Sequence, residues 1–498
     1  MRATVLSVLA QLRAQGVGLY DITADSRQLK AGDIFAAFPG YATDGRKYIQ
    51  AAIERGTTAV LWESGDGFQP EALPVPSIPV EGLREKIGCI ADEVYECPSE
   101  KLWVAGVTGT NGKTTVSQWL ARALCELGAS CGIIGTLGCG FPGALTENTN
   151  TTPDAATLHR TLARFATEGA QAAAIEVSSI GLDQGRVNGV RFNLAIFTNL
   201  TRDHLDYHGT MDAYATAKAR LFSLPGCRQV VINFDDSFGL AQARRLVSAG
   251  IPVIGYTQIK SNALAVPGAR VLIADRVQAP ASGLRFTVMW EGEAVDITAR
   301  MVAPFNISNL LAVIGALLAY GFPLGDILPV VGRLTPPEGR MQLVGGVGEP
   351  LVVIDYAHSP DALEQVLKAV RETADARSGR VLCVFGCGGD RDSGKRPLMG
   401  KVASAFADHV VITSDNPRGE DPEQIIAEIM AGVDTDAENV VDRAEAIRTV
   451  VGRANVDDVI VVAGKGHEPY QEIRGVRLPF SDLEQARQAL ANWGRGEQ

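Results

Sequence analysis

The spacing of apolar and polar positions predicts an α/β protein in three parts. Short strand candidates at residues 33–38 and 58–62 flank a helical pattern at 47–54. From Lys101 onward, nearly continuous apolar runs alternate with amphipathic segments, which is typical of parallel strands buried on both faces and joined by helices. Beyond residue 339, four further apolar runs each end in a polar loop, as ligand-binding loops do at the carboxyl ends of parallel strands.

Two proline-marked stretches separate these parts. The first is Cys97-Pro98-Ser99, and the second is LTPPEG at 334–339. We therefore expect a small N-terminal α/β domain at 1–98, a central domain with a mostly parallel sheet at 99–335, and a C-terminal Rossmann-like domain at 336–498. A chain of 498 residues is longer than one hydrophobic core usually supports.

The composition narrows the class of protein. The chain carries 46 basic and 57 acidic residues, a net charge of −11, which argues against a broad contact with nucleic acid. No apolar run reaches the roughly 18 residues of a membrane span, and the amino terminus lacks a secretory signal. The eight cysteines have no metal-binding spacing. We expect a cytoplasmic protein with reduced thiols that binds neither nucleic acid nor membranes.

A glycine-rich loop joins a strand of the central part to a helix. The strand LWVAGV is followed by Gly109-Thr110-Asn111-Gly112-Lys113-Thr114-Thr115. Glycines let backbone N–H groups approach phosphate, and the helix N-terminus adds positive potential, so the loop predicts a nucleotide site. We expect Lys113 to reach the β- and γ-phosphates and Thr114 to bind Mg²⁺. The general P-loop pattern has glycine where this chain has Val107, so the loop fits a subfamily spelled G-T-x-G-K-[ST]-[ST].

The segment GVTGTNGKTT resembles the ATP loop of the Mur ligases, which share their fold with folylpolyglutamate synthetases. Further segments follow in that family's order and extend the resemblance over essentially the whole chain: TNTTPD at 149–154, EVSSIGLDQGRV at 176–187, FTNLTRDHLDYHGTMDAYATAKARLF at 197–222, PFNISN at 304–309, PPEGRMQ at 336–342 and DYAHSPDAL at 355–363. The resemblance implies a central P-loop ATPase domain and an ATP-dependent, amide-forming ligase.

The resemblance also implies catalytic residues beside Lys113. Glu176 and His204 match positions that help hold a metal, although Mg²⁺ prefers oxygen ligands and an imidazole suits it only in part. Lys218 matches a position where CO₂ converts the amine to a carbamate (N6-carboxylysine), an anion that can bind Mg²⁺. From the residues alone, His204 could instead cap a helix, and Lys218 could be an exposed helix lysine.

Four residues match family positions around the nucleotide. Asn306 and Asn309 correspond to residues near adenine, and Asp355 to a residue at the ribose or the domain hinge. Arg340 corresponds to a phosphate contact, which suits a guanidinium because it can donate two parallel hydrogen bonds. The two asparagines could equally be helix caps.

Two groups of residues match positions that bind UDP-N-acetylmuramoyl-L-alanyl-D-glutamate. Those expected at the uridine diphosphate end are Ala24, Ser26, Tyr41, Ala42 and Thr43. Those expected at the dipeptide end are Asn150, Thr151, Thr152, Ser178, Gln184 and Arg186. Arg186 suits the carboxylates of the peptide, although it could otherwise be a solvated arginine. Taken alone, Asp25-Ser26-Arg27 would be a polar turn.

The tetrapeptide Asp415-Asn416-Pro417-Arg418 matches the branch of the family that adds diaminopimelate. The distal end of meso-2,6-diaminopimelate carries an ammonium and a carboxylate, and Arg418 can pair with that carboxylate. Lysine has only an amine there, so a buried arginine would lack a partner. Further matches to contacts with this amino acid are Arg391, Gly464 and Glu468. A plain proline turn is the alternative.

The resemblance implies that ATP converts the D-glutamyl γ-carboxylate to an acyl phosphate, which the amine of diaminopimelate then attacks, in the synthesis of peptidoglycan precursors. We expect Mg²⁺ as cofactor, a monomer, and closure of the C-terminal domain on the central one. The alternatives are the same reaction with L-lysine, a ligase like folylpolyglutamate synthetase, a nucleotide-gated switch, and a plain ATP hydrolase. The last two leave Glu176, His204 and Lys218 without a role.

Overall fold

The computed structural model describes residues 2–41, 43–148, 150–278, 283–299, 301, 303–434 and 436–494. In these ranges, three large β-sheets packed with helices, together with a two-stranded hairpin, confirm the predicted α/β class. The boundaries at residues 98 and 335 stay a prediction. No helix in these described ranges is long and apolar enough to cross a membrane.

The N-terminal sheet has four parallel strands in sequence order. Its strands are β1 (Ile22–Thr23), β2 (Ile34–Ala37), β3 (Ala59–Ser64) and β4 (Ser77–Glu81). The helices of this part are α1 (Arg2–Ala14), the 3₁₀ helix Gly45–Tyr48, α2 (Ile49–Glu54), α3 (Leu83–Val94) and the 3₁₀ helix Pro98–Glu100. The strands expected at 33–38 and 58–62 correspond to β2 and β3.

The central sheet has eleven strands in the order β15-β14-β13-β12-β11-β10-β5-β9-β6-β7-β8. They are β5 (Trp103–Thr108), β6 (Cys131–Gly135), β7 (Gly138–Phe141), β8 (Ala144–Thr146), β9 (Ala172–Glu176), β10 (Leu194–Phe197), β11 (Gln229–Asn233), β12 (Val253–Thr257), β13 (Arg270–Gln278), β14 (Leu284–Trp290) and β15 (Glu293–Ala299). The strands from β13 to β6 in this order are parallel, and antiparallel strands extend both edges. The sheet is therefore mostly parallel, as predicted.

Helices cover both faces of the central sheet. They are α4 (Lys113–Glu126), α5 (Ala155–Thr167), α6 (Ser179–Asp183), α7 (Leu205–His208), α8 (Met211–Ala219), α9 (Ser237–Ser248), α10 (Phe305–Tyr320) and α11 (Leu324–Val331), with 3₁₀ helices at Arg220–Ser223 and Lys260–Leu264. Successive side chains of a strand point to opposite faces, so Ala105 packs into the core under α4 and α10 while Val104 packs into the core on the other face. Both faces of β5 are thus buried, and its carboxyl end is held rigidly.

The C-terminal sheet has the order β16-β17-β21-β18-β19-β20, in which only the edge strand β16 is antiparallel among the described residues. Its strands are β16 (Gln342–Gly345), β17 (Leu351–Asp355), β18 (Val381–Phe385), β19 (His409–Thr413), β20 (Ala437–Val440) and β21 (Val459–Ala463), followed by the hairpin β22 (Tyr470–Ile473) and β23 (Val476–Pro479). Its helices are α12 (Pro360–Arg377), the 3₁₀ helix Ser393–Lys395, α13 (Arg396–Phe406), α14 (Pro422–Met430), α15 (Arg443–Arg453) and α16 (Asp482–Asn492). This Rossmann-like arrangement agrees with the prediction.

Candidate active site

The phosphate loop connects β5 to α4 at the carboxyl end of the central sheet. Gly109 and Gly112 have φ of 151° and 85°, which favours glycine. The Nζ of Lys113 donates to the carbonyl oxygens of Gly109 at 2.9 Å and of Thr110 at 2.8 Å, and burial lowers the pKa of this amine. The lysine thus folds back over its own loop, where phosphate oxygens could replace the two carbonyls as acceptors.

Glu176 ends β9, which pairs with β5 so that Glu176 lies opposite Val107. Its buried carboxylate accepts hydrogen bonds from the hydroxyl of Thr114 at 2.9 Å and from the backbone N and hydroxyl of Thr136 at 2.9 and 3.0 Å. The sequence reasoning missed Thr136, although it directly follows β6, the parallel neighbour of β9. The carboxylate is therefore fixed beside the first turn of α4.

His204 and Lys218 approach the loop from the segment after β10. His204 occupies the N-cap position of α7 with φ of 54°, but its side chain makes no cap hydrogen bond. Its Nε2 lies 3.5 Å from Oδ2 of Asp203, and burial lowers the pKa of the imidazole to about 4. Lys218 is buried rather than exposed, and its Nζ donates to the carbonyl oxygen of Gly109 at 2.7 Å. Burial and nearby Lys113 hold the pKa of Lys218 well below its usual value, which favours the neutral amine.

The oxygen atoms beside the loop fit a magnesium ion whose other ligands are phosphate oxygens and water. Within the described ranges there is no cluster of three or more His, Cys, Asp or Glu side chains that could hold a metal. The hydroxyl of Thr114 and the carboxylate of Glu176 are adjacent oxygen donors. Mg²⁺ commonly takes one or two protein oxygens and completes its shell with phosphate oxygens and water.

The residues expected around the nucleotide lie at the opening between the central and C-terminal sheets. Near the start of α10, the Nδ2 of Asn309 donates to Oδ1 of Asn306 at 3.1 Å, and the N-cap residue is Pro304 rather than an asparagine. The guanidinium of Arg340 donates to the hydroxyl of Thr114 at 3.2 Å. Asp355 ends β17 and accepts from the backbone N of Met341 at 2.7 Å, and burial raises the pKa of its carboxyl.

One cavity of about 750 Å³ joins the nucleotide side to the dipeptide side. The predicted residues in its lining are Thr110, Asn111, Gly112, Lys113, Thr114, Thr115, Asn150, Thr151, Thr152, Ser178, Arg186, His204, Lys218, Asn306, Asn309, Arg340 and Asp355. Gly109, Glu176 and Gln184 are outside this lining but bond to residues within it. The structure therefore brings most of the expected residues together around one space.

Arg186 is held at the dipeptide side of this cavity. It donates to the carbonyl oxygen of Thr152 at 2.8 Å and to Oε1 of Gln184 at 2.7 Å. Ser178 caps α6, and its hydroxyl accepts from Gly181 N at 3.0 Å and from the hydroxyl of Thr152 at 3.1 Å. The arginine is thus an ordered part of the wall rather than a solvated surface side chain.

The residues expected at the uridine diphosphate end lie apart from this lining. Ser26 is in a turn beside the Asp25–Arg27 ion pair, as the alternative reading of that segment expects, and Ala24 packs against the N-terminal core. Tyr41 is 59% exposed, with the guanidinium of Arg84 3.6 Å above its ring. Thr43 lies 3.2 Å from the hydroxyl of Tyr48. Ala42 lies outside the described residues.

The residues expected to bind the amino acid form a second cluster, outside the described lining of the cavity. Asp415 and Asn416 are buried after β19, and Gly464 and Glu468 follow β21. The remaining members are Pro417, Arg418 and Arg391. Arg418 donates to the carbonyl oxygen of Gly389 at 2.8 Å, and Arg391 to that of Asp390 at 3.0 Å. At the centre of the cluster lies Lys465, which the sequence reasoning missed.

Contacts between the central and C-terminal parts were also missed, although they involve the segment DYAHSPDAL. The Nδ2 of Asn111 donates to Oδ2 of Asp361 at 3.0 Å, and Nε2 of His358 lies 3.6 Å from Oδ2 of Asp203. Burial opposes ionisation of Asp203, but His358 and other cationic neighbours hold its pKa below the usual range. The phosphate loop is therefore in direct contact with α12.

Comparisons with known proteins agree with this architecture. Family models match residues 19–95 (Mur ligase family, catalytic domain), 107–317 (Mur ligase middle domain) and 339–466 (Mur ligase, glutamate ligase domain). The chain is 49% identical to a UDP-N-acetylmuramoyl-L-alanyl-D-glutamate–2,6-diaminopimelate ligase from Chromobacterium violaceum, over 98% of this chain and 97% of the relative.

One solved structure agrees with this family, and another shares the fold. The first, of a UDP-N-acetylmuramoyl-L-alanyl-D-glutamate–2,6-diaminopimelate ligase, is 37% identical, with a TM-score of 0.66 over 95% of this chain and 94% of that one. A MurF from Acinetobacter baumannii shares the fold at 17% identity, with a TM-score of 0.67 over 97% of this chain and 98% of that one. The chain therefore belongs to the Mur ligase family of ATP-dependent, amide-forming ligases.

Proposed function

We propose that this protein adds meso-2,6-diaminopimelate to the D-glutamyl γ-carboxylate of UDP-N-acetylmuramoyl-L-alanyl-D-glutamate, with ATP as the energy source. The observation that carries this proposal is that Lys113 and Arg186 line the same cavity. A γ-phosphate at the loop and a carboxylate at Arg186 would meet in that space. The relatives that are 49% and 37% identical over nearly the whole chain support the choice of substrates.

The reaction has two steps. An oxygen of the γ-carboxylate attacks the γ-phosphorus of ATP, the bond to the bridging oxygen breaks, and ADP leaves. The free amine of diaminopimelate then attacks the acyl carbon, phosphate leaves, and the amine loses a proton as the amide forms. Lys113 and Arg340 would offset negative charge on the transferred phosphoryl group. Arg186 would orient the carboxylate, which lowers the barrier by positioning.

Mg²⁺ is the proposed cofactor, held by Thr114 and Glu176 with His204 nearby. When bound, it would neutralise phosphate charge. Lys218 is proposed to be carbamylated, because its buried environment favours the neutral amine that reacts with CO₂. The resulting carbamate would add an oxygen donor near the loop. We also propose that the protein is a monomer and acts in the cytoplasm.

The other roles follow the same assignment. Asn306 and Asn309 would lie near adenine, and Asp355 near the ribose. The uridine diphosphate end would lie along the N-terminal residues Ala24, Ser26, Tyr41 and Thr43. The second cluster, around Asp415 and Arg418, would bind the distal end of diaminopimelate.

The test measures phosphate release from ATP with diaminopimelate, L-lysine, L-glutamate or no amino acid. Each reaction is run with and without the acceptor, UDP-N-acetylmuramoyl-L-alanyl-D-glutamate. We expect release that requires both diaminopimelate and the acceptor. Lys113→Ala should abolish it, whereas Arg418→Ala should lose diaminopimelate use and keep ATP binding. Phosphate release without the acceptor and without an amino acid would indicate a hydrolase. Almost no release under any condition would indicate a nucleotide-gated switch. Release that prefers lysine or glutamate would indicate one of the other ligases.

A further inference from the structure

Lys465 is a buried cation among the residues expected to bind the amino acid. Its side chain is 0% exposed, and its Nζ donates to Oδ1 of Asn416 at 3.0 Å and to Oε2 of Glu468 at 2.9 Å. It also lies 3.4 Å from Oδ1 of Asp415. Asn416 in turn donates to the same oxygen of Glu468 at 2.8 Å. The ammonium therefore links two loops, one after β19 and one after β21.

The backbone directs this lysine inward. Gly464 and Gly466 flank it with φ of 115° and 55°. A Cβ at Gly466 would lie 2.7 Å from the carbonyl oxygen of Gly339, so the turn leaves no room for a side chain there. A buried ammonium is unfavourable unless it is paired, and the acceptors around Lys465 meet that need.

The charges of the cluster match a zwitterion. Asp415 and Glu468 carry two negative charges, and Lys465 offsets one of them. The guanidinium of Arg418 uses Nη1 on a backbone carbonyl and lies 4.0 Å from Oε2 of Glu472, which leaves donors for a ligand. The distal end of diaminopimelate carries one ammonium and one carboxylate. The negative charge that remains on the Asp415–Glu468 pair suits this ammonium, and the remaining N–H groups of Arg418, whose other charged neighbour is Glu472, suit this carboxylate.

We propose that Lys465 is a positioning residue that determines specificity. It fixes Asn416 and offsets one carboxylate of the Asp415–Glu468 pair, which sets the site for a zwitterionic end rather than for a lone ammonium. This inference rests on the proposed function. Without Lys465, two uncompensated carboxylates would attract the lone side-chain ammonium of L-lysine and repel a distal carboxylate.

The test compares kcat/KM for diaminopimelate and for L-lysine in the full-length chain. In Lys465→Met we expect the ratio of the two to shift toward lysine by about tenfold or more. The change should lie mainly in KM for diaminopimelate, with KM for ATP unchanged. Lys465→Gln, which keeps a hydrogen-bond donor but no charge, should shift the ratio in the same direction. The double variant Lys465→Met/Glu468→Gln leaves one negative charge at Asp415 and should recover the preference for diaminopimelate, although not the full rate.

Arg371→Met is the matched control. Arg371 pairs with Asp408 at 2.9 Å, next to the amino-terminal ends of the strands and away from the cluster, so the ratio should not change. An equal fall for both amino acids in Lys465→Met would mean that Lys465 only supports the fold, and no recovery in the double variant would contradict the compensation of charge by Lys465. If Lys465→Met does not fold, the double variant decides, because a ratio shifted toward lysine there contradicts the inference. A wild-type enzyme that cannot use diaminopimelate would instead overturn the proposed function itself.

Discussion

At Gly109 the phosphate loop has room for glycine alone. A Cβ built there would lie 1.8 Å from Oγ1 of Thr198, and the φ of 151° is unfavourable for other residues. We expect Gly109→Ala to weaken ATP binding by about tenfold or more, because the loop must move away from its phosphate-binding shape. Isothermal titration with ATP measures the effect. Gly128→Ala is the control, since its φ of 91° is similarly strained but no atom lies within 4 Å of its Cβ; equal ATP affinity in both variants would count against this reasoning.

Single residues differ in how far the sequence could place them. Glu176 ends an apolar strand, and the phosphate loop and Asp415 come soon after one, so alternating strands and helices were enough to bring them to carboxyl ends of parallel strands. Lys465 also follows a strand, but its burial depends on Asp415 and Glu468, which come from two loops. The contact between His358 and Asp203 depends on how two sheets meet, and no local pattern encodes that. The roles of all these residues stay predictions.

At the scale of elements, α4 connects the phosphate loop to the segment between the second and third sheets. Trp119 of α4 is buried, and its Nε1 donates to the carbonyl oxygen of Thr335 at 2.7 Å. Trp119→Phe keeps most of the buried ring and removes the donor, so we expect a loss of about 1 kcal/mol in unfolding free energy. Far-UV circular dichroism during urea unfolding measures it. Trp62→Phe is the matched control, because Nε1 of Trp62 has no hydrogen-bond partner among the described residues, and its loss should be smaller.

Elements were the most predictable level of the fold. Alternating or continuous apolar positions in the sequence were enough to predict the strands at 33–38 and 58–62, the parallel central sheet and the Rossmann-like third part. The antiparallel strands β7, β8, β14 and β15 at the sheet edges were not predicted. β7 and β8 are only four and three residues long, and β15 is largely exposed, so they resemble loops in the sequence; β14 is largely buried and its alternating apolar residues are the signal that could have identified it.

At the scale of the molecule, Asp361 on α12 ties the C-terminal part to the phosphate loop through Asn111. We expect Asp361→Ala to increase the radius of gyration of the ligand-free protein, because this tie is lost. An ATP analogue with the acceptor should compact both wild type and variant to similar sizes, as domain closure requires. Small-angle X-ray scattering measures both states. Glu364→Ala is the control and should behave as wild type, because Glu364 lies on the same helix but pairs with Lys368 of that helix. A radius of gyration that is the same in every sample would rule out domain closure.

The amino-acid cluster lies on loops of the C-terminal sheet, outside the described lining of the cavity that holds the phosphate loop. Under the proposed function, energy supply and choice of amino acid would be carried by different parts of one chain. A change in the loops after β19 and β21 would then alter which amine is joined without disturbing the groups proposed to activate the carboxylate. Such a division would let the family evolve new amino-acid specificities, because mutations in the loops of the C-terminal sheet would leave the phosphate loop and its neighbours unchanged.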